Sequence, residues 1–259
     1  MCIRDRAATE LKAVGRAGVG VDNVDVPEAT KRGVVVANAP QSNVVTAAEH
    51  TMALLLALAR NVPQAHAALV AGRWDRSKYS GTELMDKTLG VLGFGRIGQL
   101  VAWRAQGFGM KVIAYDPYVG ADRYRELGVQ QASSSDEVYA TADFITIHLP
   151  KTPETEGWLN AETFAKMKDG VIIICAARGG VIDEEALLAA LESGKVAAAG
   201  LDVFATEPPG LTPLVAHPKV VCMPHVGGQT MEAQMRAADD IASEVLAALK
   251  GEPLRWKVA

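Results

Sequence analysis

Aromatic side chains are scarce in this chain: five Phe, five Tyr and four Trp, or 5% of 259 residues. Aliphatic residues must therefore fill its interior, and at 49% hydrophobic content there are enough of them for a real core. Cysteine is rarer still. Cys2, Cys175 and Cys222 are odd in number and far apart, which excludes a disulfide framework and any metal-ligand spacing. No metal is expected, and this cysteine usage suggests the reducing cytoplasm. Cys175 and Cys222 stand in apolar runs and read as small core residues. Apolar runs never reach the ~18 residues that cross a bilayer, so no membrane partner is expected. Met1-Cys2-Ile3-Arg4-Asp5-Arg6 is too charged for a signal peptide. The net charge of −4 comes without a basic stripe, which argues against nucleic acid as a partner.

What is present is a dinucleotide-binding pattern in one uninterrupted piece. Thr88 to Leu92 is a short apolar run of strand type, and Gly93-Phe94-Gly95-Arg96-Ile97-Gly98 follows at once. Gln99 to Phe108 then has helical spacing, and a second strand, Lys111 to Tyr115, ends on Asp116. Gly93 permits the sharp turn, Gly95 lets backbone approach a pyrophosphate, and Gly98 lets helix and strand pack closely. Free N–H groups and the positive end of the helix dipole would hold the phosphates. Asp116, 23 residues after Gly93, can accept both ribose hydroxyls and would repel a 2′-phosphate, which favours NAD over NADP. A bare GxGxxG is often only a tight turn; here strand, helix, second strand and terminal Asp accompany it.

Short aliphatic runs alternate with helical patterns over most of the length. Strands are expected at 11–14, 34–37, 89–92, 111–115, 144–148, 171–175, 197–203 and 220–223. Helices are expected at 96–108, 121–127, 135–141, 161–167 and 184–193. Several strands are apolar throughout, as parallel strands covered on both faces are. The pattern predicts an α/β fold with a doubly wound parallel sheet, a Rossmann fold. A long helical stretch, 43–72, is interrupted at Pro63 and is apolar enough to need cover from a second domain or subunit. The last helix, 230–249, ends at Gly251. His50 and His66 lie on the first of these stretches, where structural roles are the better reading.

Three strand ends carry polar residues. Val171–Cys175 leads into Ala176-Ala177-Arg178-Gly179-Gly180 and then Asp183, a good cap for the next helix. Gly200-Leu201-Asp202-Val203-Phe204 leads to Glu207-Pro208-Pro209, and the last strand ends at Pro224-His225-Val226-Gly227-Gly228. A hydride-transfer enzyme for hydroxy acids needs these residue types. A guanidinium suits bidentate capture of a carboxylate. Histidine, whose unperturbed pKa is near neutrality, suits the base that takes the hydroxyl proton, and a carboxylate beside it orients the ring. Singly, each could be an ordinary loop residue or ion-pair member. Their shared placement after strands, downstream of the glycine loop, points to catalysis.

Together with Gly18-Val19-Gly20-Val21-Asp22-Asn23, these segments resemble the D-isomer-specific 2-hydroxyacid dehydrogenases, from about Leu11 to the C-terminus. Gly15 to Asn23, Gly72 to Leu84 and Thr230 to Gln234 are most similar to the branch that oxidises D-3-phosphoglycerate. The resemblance implies that Arg178 binds and polarises substrate, Glu207 supports the histidine, and His225 is the general acid/base. It places Arg96 and Ile97 on the pyrophosphate, Asp116 on the adenosine ribose and Asp202 at the nicotinamide end. Leu149, Ala176, Ala177, Gly227 and Gly228 complete the expected coenzyme contacts. The backbone of Gly18, Val19 and Gly20 would hold the substrate carboxylate, and Arg76 would reach a substrate phosphate; a solvated charge in Asp75-Arg76-Ser77-Lys78 is the alternative. Relatives form dimers through the region of Thr51–Leu58 and Trp74–Leu84, so a homodimer or higher homo-oligomer is expected.

Two departures stand out: Leu149 replaces a residue often polar in the family, and Cys175 replaces an Asn. Each costs a hydrogen bond near the cofactor. The family also begins with strand-helix units that are not found before Leu11, and Met1 to Arg6 continues no family pattern and reads as a non-native leader. The expectation is an incomplete flavodoxin-like substrate domain at 1–37, an NAD-binding domain at 38–225, and a C-terminal helix at 226–259 returning to the substrate domain. Reduction of glyoxylate, hydroxypyruvate or another small 2-keto acid, and an NAD-sensing scaffold without turnover, stand as alternatives.

Overall fold

A computed structural model describes residues 8–21 and 23–259, so the leader expected at Met1–Arg6 lies outside the described residues. The chain divides into two compact units: residues up to Thr46 with Gly228–Ala259, and Ala47–Gly227. Both divisions come later in the chain than the expected 37/38 and 225/226.

The smaller unit holds β1 (Ala13–Arg16), α1 (Val26–Lys31) and β2 (Val35–Asn38), with the two strands parallel and Ala13 opposite Val35. Sequence periodicity does not reveal α1, because six residues are too few to show it. Asp25 caps it, accepting the Glu28 N–H at 3.0 Å, and Pro27 occupies the first turn, where a missing N–H costs nothing. The C-terminal helix runs Met231–Lys250, with Thr230 accepting the Ala233 N–H and Gly251 closing it at φ 72°. A Cβ on Gly15 would stand 2.6 Å from Val245 and 2.8 Å from Ile241, so glycine is what lets β1 and this helix approach.

In the larger unit the long helical stretch is two helices, α2 (Val44–Ala59, whose first turn precedes the unit boundary) and α3 (Val62–Val70), bent by 62°. The break lies at Asn61, left-handed at φ 51°, rather than at Pro63, which is accommodated in the first turn of α3. The remaining elements are β3 (Thr88–Leu92), α4 (Arg96–Gly107), β4 (Lys111–Tyr115), α5 (Ala121–Glu126), β5 (Gln130–Gln131), α6 (Ser135–Thr141) and β6 (Phe144–Ile147). After them come α7 (Ala161–Lys166), β7 (Val171–Cys175), α8 (Glu184–Ser193), β8 (Val196–Leu201) and β9 (Val220–Cys222). The strands form one sheet in the order β5-β4-β3-β6-β7-β8-β9, every neighbour parallel. Order reverses between β3 and β6, the doubly wound arrangement.

Strand residues are apolar throughout because both sheet faces are covered. On β7, Val171, Ile173 and Cys175 enter one cluster with Leu187 and Leu191 of α8, whereas Ile172 and Ile174 enter the other with α2 and α4 residues. That second cluster covers one face of α2 from within the same unit. Met52, Leu54, Leu55 and Leu58 are buried within their own unit. The chain makes room for them with Gly200 on β8, where a Cβ would stand 3.0 Å from Leu58 Cδ1. In this unit β5 also escaped the sequence pattern: Gln130 and Gln131 are exposed edge residues without apolar character. No single helix among the described residues is long and apolar enough to cross a membrane.

Candidate active site

Seven parallel strands end on the same edge of the sheet, so the residues that follow them share that edge however distant they are in sequence. Gly93 follows β3, Asp116 follows β4, His148 and Leu149 follow β6, Ala176 to Arg178 follow β7, Asp202 follows β8 and His225 follows β9.

The glycine loop has the shape a pyrophosphate requires. Gly93 turns at φ 89°, a conformation costly for any other residue, and a Cβ there would meet His148 O at 2.7 Å and Leu149 Cδ2 at 3.2 Å. Gly98, on the first turn of α4, comes so close to the loop that a Cβ would stand 2.2 Å from Gly93 O. A Cβ on Gly95 would meet nothing within 4 Å, so open space faces the exposed start of α4 at Gly95 and Arg96. That combination of crowding behind and room in front fits a dinucleotide held at a helix N-terminus. Ile97 is partly buried against the core. Asp116 closes the arrangement: Oδ2 accepts the Phe94 N–H and Oδ1 the Tyr118 N–H, both at 2.9 Å. Its carboxylate is thereby fixed beside the loop, with further lone pairs to offer ribose hydroxyls. Phe94 stacks on Tyr124, ring centroids 4.5 Å apart, which anchors the turn from below.

Contacts then run from strand end to strand end. Arg178 Nη1 donates to Ala177 O at 2.7 Å. Gly179, next in line, presses on the β8 loop so closely that a Cβ would lie 1.7 Å from Phe204 O. Phe204 N–H donates to Glu207 Oε1 at 3.1 Å, and Glu207 Oε2 lies 2.7 Å from His225 Nδ1. A carboxylate only accepts, so Nδ1 carries the proton and Nε2 is the basic nitrogen of the neutral ring. Continuous contact thus links the Arg178 loop with the Glu207–His225 pair. About half of the His225 side chain is exposed, so the ring is open to a ligand.

Asp202, expected at the nicotinamide end, holds the backbone that follows His225. It is fully buried, and its two oxygens accept the Val226 N–H at 2.8 Å and the Gly227 N–H at 2.7 Å. Burial would raise its pKa, but His50 and these two amides more than offset that and hold it below the usual carboxylate range. His148, partly buried at the switch point with Thr146 Oγ1 3.0 Å from Nε2, has its pKa pushed down by burial to about 4. Sequence reasoning singled out neither His50 nor His148 as part of this edge. The parallel strand ahead of His148 was the available signal for it; for His50 there was none.

Other expected residues are placed as follows. Leu149 and Ala177 pack against one core cluster and Ala176 against the other. Asp183 caps α8, accepting the N–H groups of Glu185 and Ala186, as its sequence position indicates. Arg76 is exposed in a short 3-10 turn, Arg76–Tyr79, where the neighbouring Asp75 pairs with Arg73 and Lys78. In the smaller unit, Gly18 has φ 152° and its carbonyl accepts the Ala39 N–H; Val19 O accepts from Asn38 Nδ2. Gly20 follows them, and Gly228 lies against Asn43.

Sheet order and glycine loop define a dinucleotide-binding domain of the oxidoreductase type. The family model for the D-isomer specific 2-hydroxyacid dehydrogenase NAD binding domain matches residues 52–227, and the chain belongs to that family. NAD is accordingly its coenzyme. Curated relatives include the D-3-phosphoglycerate dehydrogenase of Mycobacterium leprae (strain TN), 58% identical over 95% of this chain and 46% of that protein. That of Bacillus subtilis (strain 168) is 52% identical over 95% of this chain and 47% of that protein. The chain therefore spans less than half the length of these curated relatives. Among solved structures, the TT0316 protein from Thermus thermophilus superposes with a TM-score of 0.90 at 38% identity, covering 99% of this chain and 81% of that one. A glyoxylate reductase from Paecilomyes thermophila gives 0.88 at 35%, covering 96% and 76%.

Proposed function

We propose that this chain oxidises D-3-phosphoglycerate to 3-phosphohydroxypyruvate, the entry step to L-serine. The observation that carries the reading is the 2.7 Å contact between Glu207 Oε2 and His225 Nδ1 on the sheet edge that bears the glycine loop. A scaffold that only senses NAD has no need of a half-exposed histidine paired with a carboxylate. The glycine loop and Asp116 would hold NAD, which would supply the acceptor for the hydride leaving C2 of the hydroxy acid. His225 Nε2 takes the hydroxyl proton, Glu207 holds the resulting imidazolium through Nδ1, and Arg178 fixes the carboxylate and polarises the C2 oxygen. Asp116 accepts from the adenosine ribose, and Arg96 with Ile97 lines the pyrophosphate. Leu149, Ala176, Ala177, Asp202, Gly227 and Gly228 are assigned to the nicotinamide half. Gly18, Val19 and Gly20 are assigned to the substrate carboxylate, and Arg76 to its phosphate.

Phosphoglycerate is chosen within the class because relatives at 52–58% identity carry that activity in their names. The glyoxylate reductase at 35% identity supports unphosphorylated acids as the second reading. We place the protein in the cytoplasm, and as a homodimer or higher oligomer, the latter supported by the exposed apolar side chains of Val70, Trp74 and Trp103. Following NADH absorbance across D-3-phosphoglycerate, glyoxylate and hydroxypyruvate tests the choice; equal or better turnover of the unphosphorylated acids rejects it. His225→Asn, whose short side chain tolerates the left-handed backbone at φ 54°, is expected to lower kcat by about 10²- to 10⁴-fold and leave NADH affinity within about twofold. Unchanged turnover would remove His225 from the mechanism.

A further inference from the structure

We propose that His50 is a positioning residue for the catalytic loop, acting on His225 through Asp202. The kinetic half of the inference rests on the dehydrogenase reading; the structural half stands without it. His50 lies on α2 and His225 beyond β9, with no motif linking them. Between them is a carboxylate that has no contact with water: Asp202 is fully buried. Its oxygens take the N–H groups of Val226 and Gly227, the two amides that follow His225. His225 is itself left-handed at φ 54°, a conformation that a residue with a Cβ keeps only where its surroundings fix it. Asp202 is that fixture, and it is strongest as a full carboxylate.

A buried carboxylate needs a counter-charge or a complete set of donors. Two ionisable groups face Asp202 from the packed elements, His50 from α2 and Cys175 from β7. Burial pushes the Cys175 thiol up to about 11, so it brings no positive charge and no anion. His50 Nε2 stands 3.3 Å from Asp202 Oδ1, within ion-pair distance though not aligned for a hydrogen bond, and this buried nitrogen has no hydrogen-bond partner among the described residues. The imidazole edge also borders Gly227: a Cβ there would lie 2.9 Å from Asp202 Oδ2 and 3.6 Å from His50 Cδ2. Ring, carboxylate and the Val226–Gly227 backbone therefore form one packed unit. Through it His50 sets where the ring of His225 meets Glu207.

The test compares His50→Leu and His50→Asn, which withdraw the nitrogen at the Nε2 position, with His50→Gln, which keeps an N–H at similar reach. Amide hydrogen exchange at Val226 and Gly227 is read by NMR, with Ile173 of the sheet core as the control for an intact fold. Exchange at both loop amides is expected to quicken at least about tenfold in the first two variants and return toward wild type in His50→Gln, while Ile173 stays protected. In the active enzyme kcat is expected to fall about tenfold or more with the KM for NADH within about twofold, and His50→Gln to restore it. A double-mutant cycle with Asp202→Asn should be non-additive, because both changes break the same linkage. Unchanged exchange at Val226 and Gly227 overturns the inference, and so does faster exchange with wild-type kcat. If no variant and no wild-type sample turns over any 2-hydroxy acid, the dehydrogenase reading fails on its own, and the exchange comparison still decides whether His50 holds the loop.

Discussion

Among single residues, His148 has the largest pH consequence. With its pKa pushed down to about 4 by burial, the folded chain refuses a proton that the unfolded chain takes near pH 6.5. Stability from this residue is complete above pH 6.5 and is lost as pH falls toward 4, a difference on the order of 3 kcal/mol. Urea unfolding of His148→Gln is therefore expected to lose less stability than wild type between pH 6.5 and 4. An equally steep loss in the variant would assign the acid sensitivity to other groups. Residue roles divide by how local their cause is. Asp183 was legible as a cap because its hydrogen bonds reach only two and three residues ahead. The meeting of Glu207 with His225 was legible because each follows a strand on the same edge of the sheet. The hydrogen bonds of Asp202 were not legible, because its carboxylate accepts from the amides of Val226 and Gly227, 24 and 25 residues further on. His50 reaches Asp202 across the whole sheet sequence, and no local pattern encodes such a meeting.

At the scale of elements, the strand–loop–helix of β3 and α4 separates stability from binding. Gly95→Ala places its methyl in open space and at a backbone φ of −73°, which any residue adopts. It is expected to unfold like wild type and to weaken NADH binding at least about tenfold, measured by fluorescence titration. Gly98→Ala drives a methyl to 2.2 Å from Gly93 O and is expected to cost about 1–3 kcal/mol of stability as well. Wild-type affinity in Gly95→Ala would mean that the pyrophosphate does not pass there. Strands and helices with strong patterns, such as Val171–Cys175, Ser135–Thr141 and Glu184–Ser193, have the ends the sequence indicates. The short ones do not: α1 spans six residues and β5 only two, too little for a period to register. The position of the α2–α3 break was missed for another reason. A proline marks where a helix can begin as well as where one ends, and the bend itself belongs to Asn61.

For the whole molecule, the question is what a chain spanning less than half of its curated relatives retains. The unit Ala47–Gly227 contains the full seven-stranded sheet and both of its hydrophobic faces. NADH at 100 times its dissociation constant is expected to add about 2.7 kcal/mol to unfolding, a rise in melting midpoint that calorimetry detects. No rise at that concentration would mean that the coenzyme does not bind this chain. The same unit also carries a mechanical constraint. Gly200 lies under Leu54 and Leu58, one and two turns along α2 from His50. A methyl introduced at that floor would act as a wedge and tilt the rod above it, moving an imidazole the wedge never touches. Lesions deep in the β8 floor could thus register as slow chemistry in a protein that melts almost normally, and remoteness from the reacting atoms would be a poor guide to which substitutions are silent.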